Sequence, residues 1–482
     1  VPFTLPVSVA LAAACDGQDR ETVPRFYYPP DATEEAEAAI EAAVPSDASI
    51  DAVLDATADA EAEAPRVVRA LATGSATHPD PLVGGGDHTC VIAGAARAVY
   101  CWGANDYGQI GNGKTGLATP AEDVATATKI AVDETGLPFD GAEELALSAW
   151  HSCARRGDVL FCWGQRLTGA QAEPPGPNAD RTAPRAIGNF DVKRIAAGGP
   201  HTCALKSNGK MACFGHSAHN ELGRANADDA PCTAPFFYDY NGSATHQCAG
   251  TLVEVMFGAL AGSTSLAAGE THSCALAGAK VHCWGSATQG KLGRPLAQAT
   301  ELNAQLVVTD PTTLAALDGV SAIANDGARH TCALRSASGT AGAVFCWGPN
   351  EIGQLGADPL ATPVRAFAAA VPGITGATGL GVADGVSCAV RADATVACWG
   401  TDLAALGDGG IASTAVPTPV KGPGGAGLLT SVVAVAPGVR HACALRKDGT
   451  VWCWGKNDRG QLGDGTKVDS AYPVKVVGLP LE

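Results

Sequence analysis

The sequence predicts an all-β chain, a seven-bladed β-propeller of four-stranded antiparallel blades behind a disordered acidic tether. Three observations predict it. One pattern, opening on His-x-Cys and closing on Cys-Trp-Gly, recurs seven times beyond residue 80. Its opening cysteines stand 50 to 71 residues apart, too far for one hairpin and right for a small sheet of several strands. The composition, with 59 Gly, 2 Met and 5% aromatic residues, suits short strands joined by glycine-rich turns. Such a sheet cannot bury its faces alone, so neighbours stack, and closing the ring limits exposed ends.

Ahead of the repeats lie two segments. Residues 1–15 are apolar and end Leu11-Ala12-Ala13-Ala14-Cys15, too short to span a bilayer but of the length of a signal core. This ending resembles a bacterial lipoprotein signal, which implies lipidation of Cys15 and a membrane anchor there. Ala12 stands where such signals usually carry a large aliphatic residue, and no basic segment precedes the apolar run. Residues 16–78 are rich in Ala, Glu, Asp and Pro. Between Cys15 and Ala64, fourteen acidic residues and two arginines account for −12 of the net charge of −17. Low hydrophobicity with charge of one sign predicts a solvated, extended linker. The acidic balance argues against a nucleic-acid partner, because binding would release no counterions.

Residues 79–482 hold the repeats. In the last copy, His441, Cys443 and Leu445 share one strand face by the period of two. Asp448-Gly449 supplies the reversal, and placing Cys443 opposite Cys453 leaves a three-residue loop at 447–449. Residues directly opposed on antiparallel strands have Cβ atoms near the separation a disulfide needs. The corresponding pairs are Cys90 and Cys101, Cys153 and Cys162, Cys203 and Cys213, Cys274 and Cys283, Cys332 and Cys346, and Cys388 and Cys398.

Gly-x-x-His-[Thr/Ser]-Cys-Ala-Leu, a glycine hairpin, Val-x-Cys-Trp-Gly and Asn-x-x-Gly-Gln-Leu-Gly together resemble the repeat of the regulator of chromosome condensation family. The resemblance covers about 400 residues and implies a seven-bladed propeller. Departures are confined: Phe214 replaces Trp, Val386 replaces His, and Gln165-Arg166-Leu167-Thr168-Gly169 interrupts the second copy. For ring closure, Ala471 to Val477 resembles a segment that precedes a repeat, and it is expected to complete the first blade in competition with Ala64 to Val68.

Seven His-x-Cys…Cys sets admit three readings: structural disulfides, free buried thiols, or zinc ligands. Opposed cysteines in an exported chain favour disulfides, and each set offers a metal only three ligands, or two in the sixth copy. The repeated histidines and tryptophans are expected to be structural, within and between blades. No nucleophile elbow, phosphate loop, metalloprotease motif or haem-attachment motif occurs, so no catalytic residue, metal or cofactor is assigned.

The longest interval between repeats carries an insertion at about 224–252, with Cys232 and Cys248 expected to pair. Phe236, Phe237, Tyr238 and Tyr240 form an aromatic cluster, read either as a recognition surface or as cover for a blade edge. The chain is therefore expected to be a non-catalytic, monomeric binding or scaffold module of the cell envelope, recognising a protein or a glycan polymer through its loops. Two alternatives come from resemblance: a secreted propeller of the β-lactamase-inhibitor type, and a guanine-nucleotide exchange factor for a small GTPase.

Overall fold

The computed structural model describes residues 82–84, 86–114, 123–165, 180–189, 191–223, 230–232, 246–255, 260–296, 298–325, 329–336, 342–400, 406–410 and 412–480. Every described residue lies within the unit Ala64–Glu482. Cys15, the linker at 16–78 and the four aromatic residues Phe236, Phe237, Tyr238 and Tyr240 lie outside the described residues.

The first repeat forms a sheet of β1 (Leu82–Gly84), β2 (His88–Ala93), β3 (Ala98–Gly103) and β4 (Val124–Lys129). The second holds β5 (Glu144–Leu147), β6 (His151–Arg156), β7 (Val159–Gly164) and β8 (Arg181–Asn189). In the third, β9 (Val192–Gly198), β10 (His201–Lys206), β11 (Met211–His216) and β13 (His246–Glu254) gain an outer strand, β12 (Ala230–Cys232). The fourth holds β14 (Ser263–Ala268), β15 (His272–Ala277), β16 (Lys280–Ser286) and β17 (Thr300–Leu306). The fifth and sixth repeats share one sheet: β18 (Val320–Asn325), β19 (Thr331–Arg335), β20 (Gly342–Pro349), β21 (Val364–Ala383), β22 (Val386–Arg391), β23 (Val396–Gly400) and β24 (Thr414–Pro419). The seventh holds β25 (Val432–Pro437), β26 (His441–Arg446), β27 (Val451–Gly455) and β28 (Ser470–Lys475). Among the described residues the only helical turns are two short 3₁₀ segments.

Every strand pair among the described residues is antiparallel, and neighbours in sequence are mostly neighbours in space. The fused sheet has a local cause. β21 runs unbroken for 20 residues, pairing early with β20 and late with β22, and its register against β20 shifts three times. It is therefore the fourth strand of one repeat and the first strand of the next.

The seven Cys pairs sit directly opposite each other in the ladders, as at Cys90↔Cys101 and Cys443↔Cys453. Each forms a disulfide, with Cα atoms 4.0 to 4.2 Å apart. In the last hairpin the Arg446 N–H donates to the Thr450 carbonyl, closing the loop at 447–449. For Cys232 and Cys248 only the backbone is described: Cys232 lies opposite His246, and Cys248 opposite Ala230.

Burial grades outward through each sheet. Second and third strands are buried almost throughout, whereas fourth strands such as β24 and β28 are half-exposed edges. Both edges carry prolines, Pro417, Pro419 and Pro473, which withhold a donor from any incoming strand.

The expected route of ring closure is corrected. Ser470–Lys475 pairs with β27 in its own repeat, and the first sheet takes its inner strand from Leu82–Gly84. A segment that precedes one repeat is, in this fold, the outer strand of the repeat before it. The ring closes by contact between sheets: Trp102, Val91, Cys443 and Leu462 share one apolar cluster, and the Ala127 N–H donates to the Val477 carbonyl.

Candidate functional site

The first strands of the repeats converge on a central shaft. Its lining from Leu145, Ile195, Leu266, Ile323, Leu380 and Val435 is aliphatic, and the cavity measures about 220 Å³. Glu144 and Asn325 are the polar side chains among its lining residues. Burial pushes the Glu144 carboxyl up to about 7, against the opposing pull of Arg194 and Arg155.

Strand direction places two sets of loops at one end of this shaft: the turns from first to second strand, and the connections from third to fourth. In six of the repeats the first-to-second turn delivers the histidine of the His-x-Cys motif to the junction with the next repeat. His88 Nε2 lies 2.8 Å from Ser152 Oγ, His151 2.8 Å from Thr202 and His201 2.8 Å from Ser273. His272 meets Thr331 at 2.8 Å and His330 meets Ser387 at 2.7 Å. His441 closes the circle on Thr89 of the first repeat at 2.7 Å.

The hydroxyl bridges onward. Ser152, Ser273 and Ser387 donate to the carbonyls of Gln109, Glu221 and Gln354. Those carbonyls also accept the indole N–H of Trp163, Trp284 and Trp399, while Trp347 and Trp102 reach Lys291 and Gln461. Because the backbone carbonyl makes the contact, Gln, Glu and Lys all serve at that position. A hydroxyl that donates to a carbonyl accepts from the imidazole, which fixes the neutral Nε2–H form at those junctions. Burial depresses the imidazoles of His88, His151 and His330 to about 3, and those of His201 and His441 to about 4.

One junction is apolar. Val386 replaces the histidine in the sixth repeat, and Ala442 replaces the hydroxyl residue facing it in the seventh. Both are fully buried in one apolar cluster. This paired departure stands in the sequence and is the signal from which the clasp could have been found. Sequence reasoning noted only Val386.

The Asn-x-x-Gly-Gln-Leu-Gly loops hold themselves. Asn105, Asn350 and Asn457 accept through Oδ1 from the N–H of Ile110, Leu355 and Leu462. Gln109, Gln354 and Gln461 accept through Oε1 from Tyr107, Ile352 and Arg459. Around them runs a chain of ion pairs. Arg440 grips Asp87 of the first repeat through two bonds and reaches Asp458. Arg329 joins Asp384 and Glu351, and Arg459 joins Asp106 and the buried Asp123. Among the described residues no group of three or more His, Cys, Asp or Glu could hold a metal ion.

Two sequence models described as the regulator of chromosome condensation (RCC1) repeat match this chain, one at residues 192–221 and 432–461, the other at 448–481. The chain is an RCC1-type repeat protein. It is similar to the human E3 ubiquitin-protein ligase HERC2, 27% identical over 412 residues, which are 82% of this chain but 7% of that protein. The bovine secretion-regulating guanine nucleotide exchange factor is 26% identical over 414 residues, 81% of each chain. Among solved structures, Prp20p from Saccharomyces cerevisiae superposes with a TM-score of 0.60 at 18% identity, covering 86% of this chain and 88% of that one. The fold is thus that of RCC1-type propellers.

Proposed function

We propose that this RCC1-type ring is a non-catalytic protein-binding module of an oxidising compartment, displayed from the cell envelope, and that it receives its partner on the loop-bearing end. The observation that carries this reading is where the chemistry-bearing side chains are spent. The described repeat cysteines are cross-linked, six histidines clasp hydroxyls, and Asn and Gln side chains hold their own loops. A platform so fixed loses little freedom on binding, which favours affinity. The seven disulfides support the compartment, because such bonds persist where thiols are not kept reduced. Prp20p, which shares the fold, binds Gsp1p and histones, and this supports a protein rather than a small molecule as the partner here.

Cross-linking of the intact chain in envelope extract, followed by mass spectrometry, tests this. Partner cross-links at Lys114, Lys456 and Lys467 on the loop-bearing end are expected. Cross-links confined to Lys210 and Lys447 at the hairpin end would overturn the assignment of the face. A second reading, nucleotide exchange on a small GTPase, is favoured by the similarity to the bovine exchange factor. Faster release of labelled guanine nucleotide from a captured GTPase would establish it in place of simple binding.

A further inference from the structure

Arg365 stands next to Val364 at the start of β21, opposite Gly348, at the loop-bearing end of the fifth repeat. The loop of the fourth repeat packs against it. A Cβ on Gly290 would lie 2.6 Å from Ala366 Cα and 2.9 Å from the Arg365 carbonyl oxygen. The second repeat has an arginine at the same ladder position, Arg181 opposite Gly164. There Glu134, from the connection between β4 and β5, pairs with Arg181 at 3.0 Å.

Arg365 meets no such acid among the described residues. Its side chain is half-buried, Nη1 is buried without a hydrogen-bonding partner, and burial alone lowers its pKa. The acids of the adjoining connections are engaged elsewhere. Asp310 Oδ1 accepts from the N–H groups of Thr312 and Thr313, and Asp318 Oδ1 from that of Gly319. Glu351 pairs with Arg329, and Asp358 Oδ1 accepts from the Leu360 N–H. Arg294, four residues after Gly290, also has no ion pair among the described residues. A guanidinium half-desolvated without a counter-charge weakens the fold, and a carboxylate brought from outside relieves that cost.

The neighbouring side chains decide what brings it. Leu360 is 94% exposed and Val364 42%. The segment that carries them is fixed, because Asn350 Nδ2 donates to the carbonyls of Ala357 and Thr362 at 2.9 and 2.8 Å. A cation beside rigid aliphatic surface fits a peptide better than a charged polysaccharide, which offers charge without apolar side chains.

We propose that Arg365, with Arg294 on the adjoining loop, receives a carboxylate from an acidic peptide segment of the partner protein, whose aliphatic residues cover Val364 and Leu360. A guanidinium holds a carboxylate through paired N–H donors, which sets the direction of the segment as well as its place. This rests on the reading that the loop-bearing end receives the partner, and it names what that end selects.

The test selects random peptides, displayed on phage, against the native chain. Enrichment of Asp or Glu beside Leu, Ile or Val is expected, and the selected peptides should bind Arg365→Ala and Leu360→Asp about tenfold more weakly. Because Arg365 has no partner to lose, Arg365→Ala should keep or raise the melting temperature, which separates a binding role from a structural one. Selected peptides without acidic enrichment, or bound equally by Arg365→Ala, would overturn the proposal. Heparin binding that needs Arg365, with no such need for peptides, would assign the site to a polysaccharide and overturn it as well. Cross-links confined to the hairpin end defeat the assignment of the face, whereas equal peptide binding by Arg365→Ala defeats this inference alone.

Discussion

The histidines are the most heavily constrained residues of the ring, and their neutrality has a consequence for acid stability. Each imidazole titrates near 6.5 in an unfolded chain, whereas five of them are depressed to about 3 or 4 in the fold. Between those values the unfolded chain binds protons that the folded chain refuses, so stability is complete above pH 6.5 and falls as pH drops towards 4. The loss is about 1.4 kcal/mol per pH unit for each histidine fully within its window. Melting temperatures across pH 7 to 4 should fall steeply, with uptake of several protons on unfolding; a flat profile would contradict the clasp. The apolar junction offers a second residue-scale test. Val386→His alone places an imidazole N–H against Ala442 and should cost about 2 kcal/mol. Adding Ala442→Ser should recover about 1 kcal/mol beyond the sum of the single changes, measured by denaturant unfolding.

Within each element, the hairpin and its staple dominate. Replacing Cys443 and Cys453 by Ala opens a loop closed by a sequence separation of 10 and should lower stability by about 3 kcal/mol in urea titrations. The glycine after Cys-Trp has a different role. Gly455 holds φ at +114°, and a Cβ there would meet the Arg440 carbonyl oxygen at 2.6 Å. Gly455→Ala should therefore cost about 2 kcal/mol or more, and an unchanged melting temperature would show that the third strand has room to shift. This hairpin was the legible part of the sequence. Period-two alternation and an Asp-Gly turn are local, so the opposition of Cys443 and Cys453 follows from counting along the chain. The partners of the histidines were not legible in the same way. Ser152 is 64 residues from His88, and Thr89 is 352 from His441, so only the fold brings them together. Coincident loss at Val386 and Ala442 was the trace available, and it needs the junction order to be read.

At the scale of the whole ring, closure runs through side chains and a few backbone hydrogen bonds between the first and last sheets, while each terminal strand stays in its own sheet. Residues 471–477 invite placement in the first blade because a fourth strand and a following first strand look alike in sequence. β21 is both at once. Closure depends on Arg459, which bonds Asp106 and Asp123 across the seam, with Asp123 only 4% exposed. Arg459→Ala would leave that carboxylate without its strongest partner, although Lys467 also reaches it. A loss of about 2 kcal/mol is expected, read as a lower denaturant midpoint.

A stapled ring in an oxidising compartment requires the repeat cysteines to be cross-linked in the working protein. The direct measurement is alkylation of the chain as isolated from its own cells, without reductant, followed by mapping of linked peptides. Linked pairs at Cys90–Cys101, Cys153–Cys162, Cys203–Cys213, Cys274–Cys283, Cys332–Cys346, Cys388–Cys398 and Cys443–Cys453, with no alkylation at these positions, are predicted. Alkylated thiols at most of them would contradict both the stapled ring and its place in an oxidising compartment.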